Sequence, residues 1–511
     1  MNENSNRGSF ATKLGIILAT AGSSVGLGNI WRFPVETGQN GGAAFILVYL
    51  ACVLFLGIPM MTAEFIVGRH THTDIASAYQ RLAPRQPWYL TGFAGILCVT
   101  LILAYYSVVA GWILKYTFDA LTGSMAHVTD AAAHFTSYST STWAPLACTL
   151  AFILLTHLVI QRGVQEGIER VSKVLMPLLL VLMLVLAVGA ITMPGAADGI
   201  RFLLRPDFTK ITPRVLLNAL GQAFFSLSIA IGCLATYASY FRRDVNLVRT
   251  SASVVAIDTA VAVLSGFIIF PAVFSVQGVA PDAGPGLVFV TLPSVFNSLF
   301  GNLPLLGYLF TLLFYLLLLL AALTSTISMH EEVTAFFFDR YGVSRRRAAT
   351  YMTIVAAILA TLCSLSFGPL AHFRPFFGRG FFDAFNDLTA LWIMPLSGII
   401  LSIFVGWRLP RSLVIDELTN GHTLHFPRWV FAGFFILIRW AAPAAIALIF
   451  ISELLMMPNP PSPPDLTPDP SNLTPDPSPK GEGRPRAASR SNFTPLSPWR
   501  GVGGEVRGVW V

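Results

Sequence analysis

"ATAGSSVGLGNIWRFP", residues 19–34, lies where a membrane-spanning helix is expected, yet it carries three glycines, two serines and an asparagine. Gly22, Ser23, Ser24, Gly26 and Gly28 crowd its midpoint, followed by Asn29, and such residues favour unwound backbone. In a hydrocarbon core every N–H and C=O needs a partner, so a helix is interrupted only where the freed groups line a cavity or bind something. A second segment behaves alike: "GQAFFSLSIAIG", residues 221–232, places Ser226 and Ser228 near the middle of another apolar run. A single glycine cluster has a simpler reading, the close packing of two helices through small residues. Two clusters five segments apart, each with hydroxyls, point instead to a transporter of two inverted repeats with its site at the membrane midplane.

The rest of the chain fits that reading. Of 511 residues, 54% are hydrophobic and only 12% charged, with a mean hydropathy of +0.66, outside the range of soluble domains. The expected fold class is an all-α polytopic membrane protein. Apolar segments long enough to span fall at roughly 13–38, 42–68, 88–121, 143–161, 171–193, 214–240, 250–276, 303–338, 348–367, 381–407 and 427–456, about eleven helices. The amino-terminal stretch has no signal-peptide pattern and reads as a retained polar segment. The five cysteines all lie in apolar runs, as small hydrophobes and not a disulfide framework.

The net charge of +7 arises from basic clusters between apolar segments, which argues for membrane topology and against nucleic acid as a partner. Arg69, Arg81 and Arg85; Arg162, Arg170 and Lys173; Arg242, Arg243 and Arg249; and Arg340 with Arg345 to Arg347 occupy every second loop. The positive-inside rule places those loops and the amino terminus in the cytoplasm. One loop, with Arg201, Arg205, Lys210 and Arg214, runs against the scheme. The expected organisation is a cytoplasmic terminus over 1–12 and a transmembrane domain over 13–456, with repeat one about 13–193, repeat two about 214–407 and an extra helix about 427–456. Beyond it, 457–511 is rich in Pro, Ser and Gly, repeats "LTPDPS" at 466–471 and 473–478, and reads as a disordered tail.

"TKLGIILATAGSSVGLGNIWRFP", "QNGGAAFILVYL", "GIPMMTAEFIVGR", "AYYSVVAGW", "GQAFFSLSIAIGCLATYASY", "SGFIIFP" and "LLAALTSTIS", in this order, closely resemble the neurotransmitter:sodium symporter family with its LeuT-type fold. The resemblance runs from about Arg7 to Trp440. It implies a sodium-coupled symporter that imports an amino acid by alternating access, with about two sodium sites and no organic cofactor. It also implies a bacterial inner-membrane location, and leaves open a homodimer as a partner.

By position, the resemblance carries over a first sodium site of Ser24, Asn29, Ser226 and Asp258, and a second of Gly22, Val25, Ala321, Thr324 and Ser325. Sodium is a hard cation, suited to carbonyl, hydroxyl and carboxylate oxygens. For "LTST" alone, local hydroxyl bonding to the preceding turn is the ordinary reading; the pairing with the break at Gly22 reverses that preference. Many family members carry asparagine at the Asp258 position, and animal members bind chloride near residues matching Tyr49, Gln222 and Ser226. An ionisable residue inside a span is by default functional, and Asp258 is expected to supply that negative charge itself, making transport chloride-independent. Gly26 stands where monoamine carriers place an aspartate, and leaves room for an amino-acid carboxylate. The N–H groups of Leu27 and Gly28, at the positive end of a half-helix, and the Tyr106 hydroxyl are expected to cradle it, with the ammonium near the carbonyls of Ala21 and Phe225. Ile102, Phe225, Ser228, Ile231, Ser325 and Met329 would line a mostly apolar pocket for a hydrophobic or aromatic side chain. Ala230 replaces a common glycine.

The outer gate is expected to pair Arg32 with Asp387, although "FDAFND" also offers Asp383; the inner gate is expected to join Arg7 with Asp339 and Tyr240, with Phe10 in a position more often tryptophan. Glu64 is expected to hydrogen-bond unwound backbone. Three rival readings are a proton-coupled relative using Asp258 or Glu64, an amino-acid-binding receptor, and an intramembrane enzyme built on "HEE" at 330–332. Metalloprotease chemistry needs a second histidine at helical spacing, and "HEEVT" has none, so an enzyme is not expected. Glu331 and Glu332 are expected to face cytoplasmic water.

Overall fold

The computed structural model describes residues 8–276, 286–300, 303–376 and 378–456. Arg7 and the tail read at 457–511 lie outside the described residues.

Among the described residues, nine helices are long and apolar enough to cross a membrane: Ala43–Thr71, Tyr89–Leu121, Trp143–Ile160, Val164–Ile191, Leu247–Phe274, Pro304–Tyr341, Arg345–Leu365, Phe381–Arg408 and Arg428–Leu455. Two more are interrupted. Lys13–Ser24 and Gly28–Gln39 form one span bent by 57° at its break. Pro213–Ser226 and Cys233–Ala238 flank the second break. The bent pair makes a tenth candidate span, and the pair around the second break, separated by residues 227–232, stands in the place of the expected sixth; the helices are called here the first to eleventh in chain order.

Local chemistry sets where the interrupted helices begin and end. Thr12 caps the first helix by accepting from the Gly15 amide at 3.0 Å. Glu169, on the fifth helix, accepts from the amides of Ala11 and Thr12 at 2.6 and 3.2 Å and from the Thr12 hydroxyl at 2.8 Å. The amino terminus of the first helix is thereby tied to its neighbour. The sixth helix starts with a Thr212 cap and Pro213 in its first turn. After the first break the chain resumes as a widened π-helical turn, Gly28–Arg32, a geometry often found at functional sites.

Of the nine uninterrupted helices the third is the most enclosed, and it packs along the eighth. The fourth and fifth instead expose Leu154, Leu155, Val181, Leu184 and Val188, a face suited to lipid. Several linkers contain short helices that the apolar periodicity did not announce, among them Ile75–Leu82, Ala196–Leu204 and Arg411–Leu418. Ala196–Leu204 explains part of the discordant basic loop. Arg201 lies 3.3 Å from Asp198 on its exposed side, while Leu203 is buried and the helix packs on the seventh.

Candidate functional site

Both breaks meet at the centre of the bundle. At the first, Val25 leaves helical geometry and its amide closes on the Ala21 carbonyl at 2.7 Å. At the second, Ser228 and Ala230 both take positive φ, 51° and 68°. Left-handed backbone at non-glycine residues is strained, so something must hold it. Glu64 does so, as expected, accepting from the amides of Ala230 at 2.9 Å, Gly232 at 3.1 Å and Ala235 at 3.4 Å.

The residues expected at the first sodium site converge from three helices. Asn29 donates from Nδ2 to Asp258 Oδ1 at 2.8 Å and to the Ser226 hydroxyl at 2.9 Å; that hydroxyl donates to Asp258 Oδ2 at 2.8 Å. Asn29 Oδ1 accepts the Gly26 amide at 3.0 Å. Ser24 donates to the Leu227 carbonyl at 3.3 Å, linking one break directly to the other. Tyr49 reaches Ser226 at 3.4 Å, and Gln222 donates to the Gly28 carbonyl at 3.1 Å. Asp258 is fully buried. Ser265 was missed by the sequence reading; it anchors the Asn29 carbonyl at 2.8 Å, and a serine about two turns beyond Asp258 on the same helix carries no special signal.

The residues expected at the second sodium site also come together. Ser325 donates to the Val25 carbonyl at 3.1 Å, and a Cβ on Gly22 would stand 3.3 Å from Thr324 Cβ. Thr324 itself bonds the Ala321 carbonyl at 3.0 Å, the local contact ordinary for a helical threonine.

Of the residues expected to meet substrate, Leu27 donates its amide to the Tyr106 hydroxyl at 3.3 Å. A Cβ on Gly26 would lie 2.5 Å from Ser325 Oγ and 3.1 Å from that hydroxyl, and one on Gly28 would lie 2.8 Å from the Phe225 ring. No side chain fits at either glycine without displacement. The carbonyls of Ala21 and Phe225 already serve local turns, accepting from Val25 at 2.7 Å and Ser228 at 3.0 Å. The Ser228 hydroxyl bridges to the Ser23 carbonyl at 3.4 Å. Ile102 and Met329 are buried on the third and eighth helices, and Ile231 borders a small cavity beside Glu64.

The gate expectations need correction. Arg32 sits 3.6 Å from Glu36 and lays its guanidinium 4.5 Å over the Phe225 ring, while Asp387 pairs with Arg379. Each takes a partner nearer in sequence, which requires less ordering of long side chains than a pair across the bundle. At the inner side Arg7 is outside the described residues. Asp339 accepts from the Asp74 amide at 2.7 Å, and Tyr240 donates to Glu331 at 2.7 Å. Phe10 is buried edge-on against Tyr237 and Tyr240, filling the expected aromatic position.

The "HEE" run is corrected as well: His330, Glu331 and Glu332 are all fully buried, not turned to water. Glu331 is compensated by Arg345 at 2.5 Å, and His330 bonds Thr334 and Thr353 at 3.0 and 2.9 Å. The eighth helix runs to Tyr341 and packs inside the bundle over this stretch, so neither charge lies at its end.

An all-helical bundle with two helices broken around a shared polar centre defines a membrane carrier. The description "Sodium:neurotransmitter symporter family" belongs to the family model that matches residues 7–142 and 127–463. An uncharacterized sodium-dependent transporter of Bacillus subtilis, YhdH, is 39% identical over 446 residues, covering 87% of this chain and 97% of that one. A sodium- and chloride-dependent GABA transporter of Rattus norvegicus is 26% identical, covering 81% and 75%. The crystal structure of MhsT in complex with L-phenylalanine superposes with a TM-score of 0.78 at 39% identity, covering 87% of this chain and 99% of that one. The chain belongs to the sodium:neurotransmitter symporter family. It is a multi-pass membrane protein of LeuT-type fold that performs sodium-coupled transport.

Proposed function

We propose that this carrier imports an apolar or aromatic amino acid together with sodium, by alternating access and without chloride. The single observation that carries the substrate class is Gly26: beside it the Leu27 amide and the Tyr106 hydroxyl meet at 3.3 Å, at the amino end of the half-helix that follows the break. That is chemistry for a carboxylate. The relative bound to L-phenylalanine, similar over nearly its whole length, supports an aromatic side chain as ligand.

In this reading Ser24, Asn29, Ser226 and Asp258 hold one sodium ion, sharing it with the substrate carboxylate. Gly22, Val25, Ala321, Thr324 and Ser325 hold the other. Asp258 supplies a fixed negative charge between the two breaks, taking the place of a bound anion. Sharing one ion between protein and substrate makes each ligand tighten the other. Phe225, held under Arg32, closes the outer side. The basic loops and the amino terminus face the cytoplasm of a bacterial cell. The test is uptake of labelled L-phenylalanine into proteoliposomes with and without an inward sodium gradient, with gluconate replacing chloride. Accumulation that needs sodium and ignores chloride is expected; sodium-dependent binding without accumulation would make the protein a receptor.

A further inference from the structure

We propose that Glu332 is a proton-binding site of this carrier, which holds a proton while the second break is packed against it and exchanges it when that joint opens. The inference rests on the carrier reading above, and concerns a residue to which that reading gives no role.

Glu332 is fully buried, and among the described residues neither of its carboxylate oxygens accepts a hydrogen bond from an N–H or O–H group. The oxygens lie against glycine backbone: a Cβ on Gly232 would overlap Oε1 and stand 3.0 Å from Cδ, and one on Gly95 would be 3.9 Å from Oε1. Gly232 has φ of 104° and begins the short second half of the sixth helix. The titratable groups facing Glu332 are Cys233 on the sixth helix, Cys98 on the third, Glu64 on the second and Asp74 before the Ile75–Leu82 helix. All are acids or thiols that bring no positive charge, and the Cys233 thiol is only a weak donor. The basic side chain that reaches the neighbouring acid, Arg345, is committed to Glu331 at 2.5 Å.

An ionised carboxylate with no cation and no strong donor is not tolerated in such surroundings; it takes up a proton or binds a cation. Glu64 and Glu332 bracket the same joint, and only Glu64 has backbone amides to stabilise a charge, three of them. The charge therefore resides on Glu64 and the proton on Glu332. On the Glu64 side of the joint, Glu64, Tyr79, Gly95, Ile231 and Gly232 line a void of about 10 Å³, room for about one water. When the second half of the sixth helix moves off Gly95 and the eighth helix, water reaches Glu332 and the proton leaves as the acid ionises. Ionisation then favours the opened, hydrated joint, and reprotonation favours closure.

The experiment uses the full-length protein. In the wild type, the infrared C=O stretch of a protonated carboxylic acid is followed as pH is raised, beside Glu332→Gln. A band present near neutral pH in the wild type and missing from the variant is expected; identical spectra overturn the assignment regardless of substrate. Sodium-driven uptake of labelled L-phenylalanine is then measured with pH varied on one face of the proteoliposome at a time. Wild-type uptake should rise with pH on the face bearing the basic loops, by up to about tenfold per pH unit where one proton is released. Glu332→Gln should be flat, and Glu332→Asp should restore the dependence with a displaced midpoint. A profile unchanged in Glu332→Gln overturns the proposal, and so does a profile reproduced by potassium at constant pH, which would make the bound cation a metal ion. Failure of the wild type to bind L-phenylalanine would break the substrate reading while the infrared result still decides Glu332.

Discussion

Asn29 donates to the carboxylate of Asp258 across 2.8 Å, joining the unwound backbone of the first helix to the middle of the seventh. Ser226 takes the other oxygen at 2.8 Å, so one charge is shared by both breaks. Replacement by asparagine keeps the shape and removes the charge. Asp258→Asn should weaken sodium activation of uptake at least about tenfold, since a full charge beside an ion outweighs ~1.4 kcal/mol in a low-dielectric site. Chloride should then stimulate transport. Sodium titrations of uptake in chloride and in gluconate measure both effects, and an unchanged sodium midpoint would sink the assignment.

Gly26 has no room for a methyl group, because Ser325 Oγ would be 2.5 Å from it. Gly26→Ala should reduce L-phenylalanine affinity by at least about tenfold, the range expected when a well-packed site is overfilled by about 1–3 kcal/mol. Scintillation-proximity binding in saturating sodium reads this directly. Full affinity in the variant would remove Gly26 from the site.

Glu64 satisfies three amides of the second break. Glu64→Ala strands them in the bundle and should destabilise the protein by about 2–4 kcal/mol. Glu64→Gln keeps one acceptor oxygen and should lose less. Thermal unfolding in detergent ranks the three forms, and equal Tm values for wild type and Glu64→Ala would contradict the role.

Ala230 holds a φ of 68°. Ala230→Gly relieves about 1 kcal/mol of left-handed strain, so the variant should be slightly more stable than the wild type, or equal to it where added freedom in the unfolded chain offsets the gain. A clear loss of Tm would show that the methyl group packs favourably enough to outweigh its backbone.

Glu417, in the linker after the tenth helix, receives Arg69 Nε at 2.7 Å and His70 Nδ1 at 3.0 Å. Burial pushes its carboxyl upward, but His70 and Arg69 overcome that and hold it below the usual glutamate range. A depressed folded-state value means the contribution is complete above the unfolded glutamate range and fades as pH falls through the lower, folded one. Glu417→Gln should therefore lower Tm at neutral pH, and the difference from wild type should shrink in acid. A Tm difference independent of pH would show that charge is not its source.

The helix count, the two breaks and the polar residues at them were legible because the hydrocarbon core imposes strict rules. Apolar runs must reach a set length, and glycine and serine gathered at the centre of two such runs open the backbone only where it has something to bind. Asn29, Ser226 and Asp258 were identified as one cluster from resemblance to a family, and the bundle does bring them together. Partner choice was less legible. Arg32 and Asp387 were expected to pair across the bundle but chose Glu36 with Phe225, and Arg379, since long charged side chains take whichever partner the local backbone presents.

Length, apolar periodicity and interrupted helices, all local properties, determined by themselves that this chain spans a membrane and opens its backbone at two points. The burial of Glu331 and Glu332 was decided only by the tertiary structure. Both lie about two to three turns before the carboxyl end of a long helix, in a polar run that a sequence leads one to place in water, and the bundle encloses that stretch although the helix end beyond it is exposed. Arg345 then answers one charge, and among the described residues nothing cationic answers the other. Whether a carboxylate has a partner depends on which helices pack against it, and that is a property of the assembled bundle that no local stretch of chain contains.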